Sequence, residues 1–422
     1  MFIRILIGRI FEDPVEVLKF VLEVIIIYAI IRFRHQARNS IIDIPQTVVK
    51  KLILDYEPDD LIESKAPLCI LERLYEKTNI DLASYDVFQI QNKFKKETKE
   101  IIKKYGIGTC GPTTFFGTLD LHIKLQDKIS MLLGTEDSLL YSNSFTCIHS
   151  IISCFATNSD IIFYNKFSSE GIIRGIALSK ATCYEYEDIN NLDRAIKMYS
   201  NPKKRNFIVV EGLSKNLGTV LDLKKIIKLK EDLNFRIILD ESLSIPLLNK
   251  KGVCGYFNIE PRLIDIRIGS FSYGYACSGG FFTGDKNLAN YQRLSSSSYV
   301  FSASLPGFLA NFNILALDLD LNYCKIRRKI AKFHKYFDSK VFNIISDKVS
   351  PIIIIRSKDI DQDKASILTG LYKIVHELRN KRINVGINSN PVPSIRLVMK
   401  IRQKEVKKLA KIISETCDSV EL

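Results

Sequence analysis

From Asp120 onward the chain alternates between two hydrophobic periods, and that alternation limits the folds open to it more than any other feature. Leu121, Leu125, Ile129 and Leu132 recur at helical spacing, and a short apolar run follows at Leu139 to Tyr141. Strand-like runs then come at 160–164 (DIIFY), 206–212 (NFIVVEG), 236–242 (RIILDES), 264–272 (IDIRIGSFS) and 279–284 (GGFFTG). Helical stretches such as LDLKKIIKLKEDL, residues 221–233, lie between several of them. Short apolar strands separated by helices predict an α/β chain whose mostly parallel sheet is covered on both faces.

After Pro306 the pattern changes. It predicts helices over 321–342 and around 365–380, strands at 351–357 (PIIIIRS) and 394–400 (SIRLVMK), and a last amphipathic helix on Val406, Leu409, Ala410 and Ile413. At about 150 residues per domain, 422 residues make two or three domains. The expected organisation is a tail (1–14), an anchor helix (15–34), a linker and N-terminal segment (35–100), a large α/β domain (101–320) and a small C-terminal α+β domain (321–422). Nine cysteines without a C-x-x-C pair make neither a disulfide framework nor a zinc site. The formal charge of +14 suggests nucleic acid, yet the basic residues are dispersed rather than gathered in a stripe, so no nucleic-acid partner is expected.

Residues 20–33 (FVLEVIIIYAIIRF) are the most hydrophobic stretch. Counted from Val15, a helix there is about 28 Å long, close to a bilayer core. Lys19 and Glu23 share one face, no cleavage site follows, and Arg32, Arg34 and Arg38 come next. A retained transmembrane anchor with its C-terminal side in the cytoplasm is the expectation, and a helix lying in the membrane plane is the alternative.

Four segments gather glycines, small hydroxyl residues and acids at predicted turns and strand ends: 105–129 (YGIGTCGPTTFFGTLDLHIKLQDKI), 239–244 (LDESLS), 269–284 (GSFSYGYACSGGFFTG) and 299–307 (YVFSASLPG). Strand ends of an open α/β sheet are where ligands bind. With IVVEGLSKNLGTV and PSIRLVM, these segments stand in the order and spacing found in the α-oxoamine synthase family of pyridoxal-phosphate enzymes. Within that family the chain resembles the long chain base subunit 1 branch of the serine palmitoyltransferases. The resemblance implies the type I fold of pyridoxal-phosphate transferases (aspartate aminotransferase-like), a large domain with a mostly parallel sheet and a small C-terminal α+β domain.

In catalytic members the segment G-T-F-T-K-S-F-G carries the lysine that binds pyridoxal phosphate as an imine. The same register here runs Gly269, Ser270, Phe271, Ser272, Tyr273, and a phenol forms no imine. Lys286 lies too far along to replace that lysine. The D-E-A-H-S pattern reads Asp240, Glu241, Ser242, Leu243, Ser244, so the aspartate remains and the histidine is lost; the stacking histidine falls on Ser169. The resemblance therefore implies a chain with no catalytic residues of its own. Its partner would be the catalytic long chain base subunit 2, which binds pyridoxal 5'-phosphate covalently and condenses L-serine with palmitoyl-CoA to 3-ketodihydrosphingosine. The heterodimer would sit at the endoplasmic reticulum membrane with its globular part in the cytosol. By the same resemblance Ser302 and Ala303 would reach the partner's cofactor phosphate, and Cys110, Gly111, Phe115 and Phe116 would lie at the interface. Thr113 stands where that branch carries an arginine, and Ser144 where a glycine is common. Arg396 matches the arginine that relatives use for a substrate carboxylate, and a structural ion pair is expected of it here. A self-sufficient homodimeric oxoamine synthase is the rival expectation.

Overall fold

The computed structural model describes residues 14–39, 45–56, 80–359, 363–389, 391–400, 402 and 404–420. Nearly all of the expected tail, and residues 40–44 and 57–79 of the stretch expected as linker, lie outside these. The chain divides into two units, Met1–Ile70 and Leu71–Leu422.

In the first unit one helix runs from Pro14 to Asn39 and another from Gln46 to Leu54. The longer one covers the expected anchor and carries exposed apolar side chains from Val15 to Ile31. No helix among the described residues is long and apolar enough to cross a membrane, so the expected transmembrane span is not found among them. The reason lies in Glu16, Lys19, Glu23 and Arg32, which break the apolar run. A charge at the centre of a bilayer costs about 2.5–3.5 kcal/mol.

The second unit opens with β1 (Ile80–Asp81) and then builds a central sheet. Its strands are β2 (Asp137–Tyr141), β3 (Ile161–Asn165), β4 (Thr182–Tyr186), β5 (Asn206–Glu211), β6 (Arg236–Asp240), β7 (Ile266–Ser270) and β8 (Gly280–Gly284). Their order is β2-β8-β7-β6-β5-β3-β4. All neighbours from β7 to β4 are parallel, and β8 runs antiparallel to both β7 and β2. Strand β5 shows why such a sheet reads as unbroken apolar text. Successive side chains point to opposite faces. Phe207 and Val209 pack with Ile148, Ile151 and Phe155 of the helix Ser144–Phe155. Ile208 and Val210 pack on the other face with Leu192, Ile196 and Ile226. Both faces are covered, so the polar residues of β5, Asn206 and Glu211, stand at its ends.

Strands β9 (Phe342–Ile344), β10 (Ile352–Ser357), β12 (Gly386–Asn388) and β13 (Ser394–Val398) form an antiparallel sheet, and β11 (Ile383–Asn384) pairs in parallel with β1. The helix expected over 321–342 covers only Tyr323–Tyr336. The Asp418 carboxylate accepts bonds from the Ser339 hydroxyl and from the Lys340 and Val341 N–H groups, which turns the chain into β9. That contact spans about eighty residues and leaves no local pattern.

Candidate functional site

Parallel strands end along one edge of the sheet, and there the chain gathers its buried acids. Glu211 ends β5 and Asp240 ends β6, and the two are register partners. Three residues beyond β7, Tyr273 faces them across a cavity of about 70 Å³. Leu243 and Ser169, which the sequence places at the two lost histidines, line the same cavity. Three positions from separate motifs therefore converge on one small space.

Lys215 also lines that space, on the loop that leaves β5. Its Nζ donates to the Tyr273 hydroxyl at 3.3 Å and lies 5.4 Å from the centre of the tyrosine ring. Burial by itself would lower the Lys215 pKa, but the phenols of Tyr273 and Tyr85 outweigh it and hold the amine above its ordinary value. Asp240 Oδ1 accepts the Ser242 N–H at 2.8 Å, yet burial pushes this carboxyl up to about 6. Glu211 is pushed up to about 8 by burial and by the facing Asp240. The Ser169 and Ser242 hydroxyls are buried beside these acids and make no well-formed hydrogen bond among the described residues.

These shifts carry a pH dependence. A glutamate that ionises near 4.5 in the unfolded chain and near 8 in the folded one favours folding only while it stays protonated. Its contribution is whole below about 4.5 and is lost as the pH rises through about 8. Glu211→Gln, which keeps an acceptor and cannot ionise, is expected to unfold like the parent at pH 4.5 and to be about 2–3 kcal/mol more stable at pH 8. Denaturant titrations at the two pH values measure this difference, and equal stability of both chains at pH 8 would sink the assignment.

A second cluster forms where the segment around Cys110 meets the segment around Ala303. Pro112 and Ala303 make an antiparallel bridge, closed by the Ser304 N–H on the Gly111 carbonyl at 3.0 Å. Thr113 Oγ1 and Ser304 Oγ share a bond of 2.9 Å, and Ser302 Oγ lies 3.2 Å from Ser142 Oγ. Gly117 is required at this crossing, since a Cβ there would stand 1.9 Å from the Gly111 oxygen. Cys110 is exposed and holds a left-handed φ of 57°. Around the crossing Phe115, Phe116 and Phe301 are 66%, 95% and 83% exposed. The residues expected at an interface thus share one surface with Ser302 and Ala303, and that surface presents bare aromatic rings.

Arg396 differs from expectation. No ion pair reaches it among the described residues; its guanidinium lies 4.8 Å above the Tyr85 ring and its Nε has no partner. The ring that faces it is that of Tyr85, and no carboxylate lies within ion-pair distance among the described residues, so the expected structural ion pair does not form. Asp240 stays at the sheet edge with the other acids. Lys215, Glu211 and Tyr85 were not singled out by the sequence reading. The available signal was a lysine four residues after an acid at the end of an otherwise apolar strand.

The model of the family "Aminotransferase class I and II" matches residues 77–413. Long chain base biosynthesis protein 1 of Arabidopsis thaliana is 33% identical over 74% of this chain and 68% of its own length. Serine palmitoyltransferase 1 of Dictyostelium discoideum is 33% identical over 64% of this chain and 61% of its own. A solved structure of SPT with PLP as an internal aldimine superposes with a TM-score of 0.70 at 19% identity, covering 80% of this chain and 87% of the other. The chain thus spans just over two thirds of the Arabidopsis protein and less than two thirds of the Dictyostelium protein.

The fold is thus one that holds pyridoxal phosphate elsewhere, and the residues of this chain do not fit that group. A cavity of about 70 Å³ is well below the roughly 300–1,000 Å³ of small-molecule sites. At the start of the helix Ser144–Phe155, the Phe145 and Thr146 N–H groups are taken by the Asn143 side chain. Ser144, Ser270 and Ser272 bond one another through their hydroxyls at 2.6–2.8 Å. Donors that could hold a phosphate are spent within the chain.

Proposed function

Because the chain belongs to the aminotransferase class I and II family, we propose that it is the non-catalytic subunit of a serine palmitoyltransferase, working in sphingolipid synthesis. The names of its relatives support the reaction, the condensation of L-serine with palmitoyl-CoA to 3-ketodihydrosphingosine. The observation that carries the reading is Tyr273, a phenol at the strand-end position of the imine lysine, facing a cavity too small for the cofactor. The lysine and the covalently bound pyridoxal phosphate belong to a second subunit, the long chain base subunit 2.

In this reading the chain contributes a surface and two groups. The aromatic patch of Phe115, Phe116 and Phe301 packs against the catalytic subunit, since exposed apolar rings of this size gain most by being covered. Ser302 offers its hydroxyl to the partner's cofactor phosphate. Ala303 offers its N–H, which lies outside the bridge that Ser304 closes. The helix Pro14–Asn39 lies in the plane of the endoplasmic reticulum membrane, and the folded body faces the cytosol. Its exposed apolar side chains and the following Arg34 and Arg38 suit that placement, because an anionic leaflet attracts nearby cations.

The test is expression alone and with a lysine-bearing subunit. Alone, the purified chain should show no imine absorption band and no condensation of serine with palmitoyl-CoA; together, the two should co-purify from membranes and form product. A soluble homodimer that is active without a second subunit would overturn the reading.

A further inference from the structure

We infer that His122 is a positioning residue for the partner's cofactor: through the Leu305 carbonyl it holds the segment that presents Ser302 and Ala303. The inference rests on the reading of this chain as the non-catalytic subunit and adds what keeps its two contributed groups in place.

Ser302 and Ala303 stand at the rim, whereas Ser304 and Leu305 behind them are 5% and 2% exposed and anchor the segment. Part of that anchoring joins loop to loop. The Ser304 N–H donates to the Gly111 carbonyl at 3.0 Å and Thr109 Oγ1 donates to the Ser304 carbonyl at 3.2 Å, but residues 106–119 lie in neither helix nor strand. His122 supplies a tie to the body of the fold. It stands in the first turn of the helix Asp120–Leu133 and is 1% exposed. The Leu119 N–H donates to its Nδ1 at 2.9 Å, and its Nε2 lies 2.6 Å from the Leu305 carbonyl. An N–H only donates and a carbonyl only accepts, so the ring is neutral and its proton sits on Nε2. One imidazole thus caps its own helix and fixes a carbonyl 183 residues further along. The chain just past Leu305 also runs hard against the chain just before His122, since a Cβ on Gly307 would stand 2.8 Å from Leu119 Cδ1. A buried carbonyl left without its donor costs free energy, and the segment would turn toward water to regain one.

Two full-length variants separate the ring's bonds. His122→Asn keeps an acceptor at the reach of Nδ1 and has nothing at the reach of Nε2; His122→Gln puts an N–H at the reach of Nε2 instead. In the purified chain, amide hydrogen exchange read by peptide mass spectrometry should be about tenfold faster over residues 302–305 in His122→Asn and parent-like in His122→Gln. The same variants are then co-expressed with the lysine-bearing subunit, stripped of cofactor and titrated with pyridoxal 5'-phosphate while the imine band is followed. His122→Asn should need about tenfold more of it for half the band, with kcat at saturation unchanged, and His122→Gln should titrate like the parent. Unchanged exchange in His122→Asn, equal losses in the two variants, or faster exchange with unchanged cofactor affinity overturns the inference. A fall in kcat at saturation or in recovery of the complex marks structural damage and overturns it too. Should His122→Asn fail to fold, His122→Gln decides: parent-like exchange and affinity support the inference, and a loss in either overturns it. A parent complex that forms no imine band on adding the cofactor removes the reading of this chain as a subunit, and the inference with it, whatever the variants show.

Discussion

Replacing Arg267 with methionine is expected to cost the fold about 3–5 kcal/mol. Arg267 on β7 is 2% exposed and its partner Glu241, just past β6, is fully buried, with Nη2 2.7 Å from Oε1. The same guanidinium donates to the carbonyls of Leu133 and Lys251, so it ties a helix end and a turn to the sheet. On the other side Glu241 Oε2 accepts the Val253 N–H at 2.7 Å and the Ser244 hydroxyl. Gly252 passes so close that a Cβ would stand 1.9 Å from that oxygen. Methionine fills much of the arginine's volume but leaves an anion inside the protein with no counter-charge. Adding Glu241→Gln should recover more than half of the loss, because the amide carbonyl still accepts from Val253 and carries no charge. Urea titration of the parent, single and double variants measures both numbers. A loss below about 1 kcal/mol for Arg267→Met would show that the pair does not hold the sheet edge together.

The second large effect is expected at the aromatic surface. Phe115 and Phe116 are exposed, so changing both to serine should move the chain's own unfolding by no more than about 0.5 kcal/mol. If the catalytic subunit covers them, each is a candidate for the 2 kcal/mol or more that buried aromatic anchors contribute, and affinity should fall by about 30-fold or more. The readout is recovery of the co-expressed complex, with activity falling in parallel. Full recovery of complex by the serine variant would place the partner on another face.

Much of this was legible in the sequence. The strand runs and the helices between them were set out by period alone, because a strand covered on both faces must be apolar throughout and a helix covered on one side must repeat near 3.6. The convergence of Tyr273, Leu243, Ser169 and Asp240 also followed from motif order, since each lies at or near a strand end on the same edge. Other features depend on contacts across the chain. The turn at Ser339 is made by Asp418, and the crossing at Gly111 is made by Ser304. Arg396 found a tyrosine ring instead of a carboxylate.

What the sequence by itself determined is the layered α/β fold, its family, and the absence of a lysine where imine chemistry would need one, because these depend on residue type and local period. What only the tertiary structure decided is the fate of the site. Whether a cavity stays open depends on which side chains meet across it. Glu211 and Asp240 end strands about thirty residues apart and Lys215 lies on the loop after β5, and their side chains with those of Tyr273 and Leu243 leave a cavity of about 70 Å³.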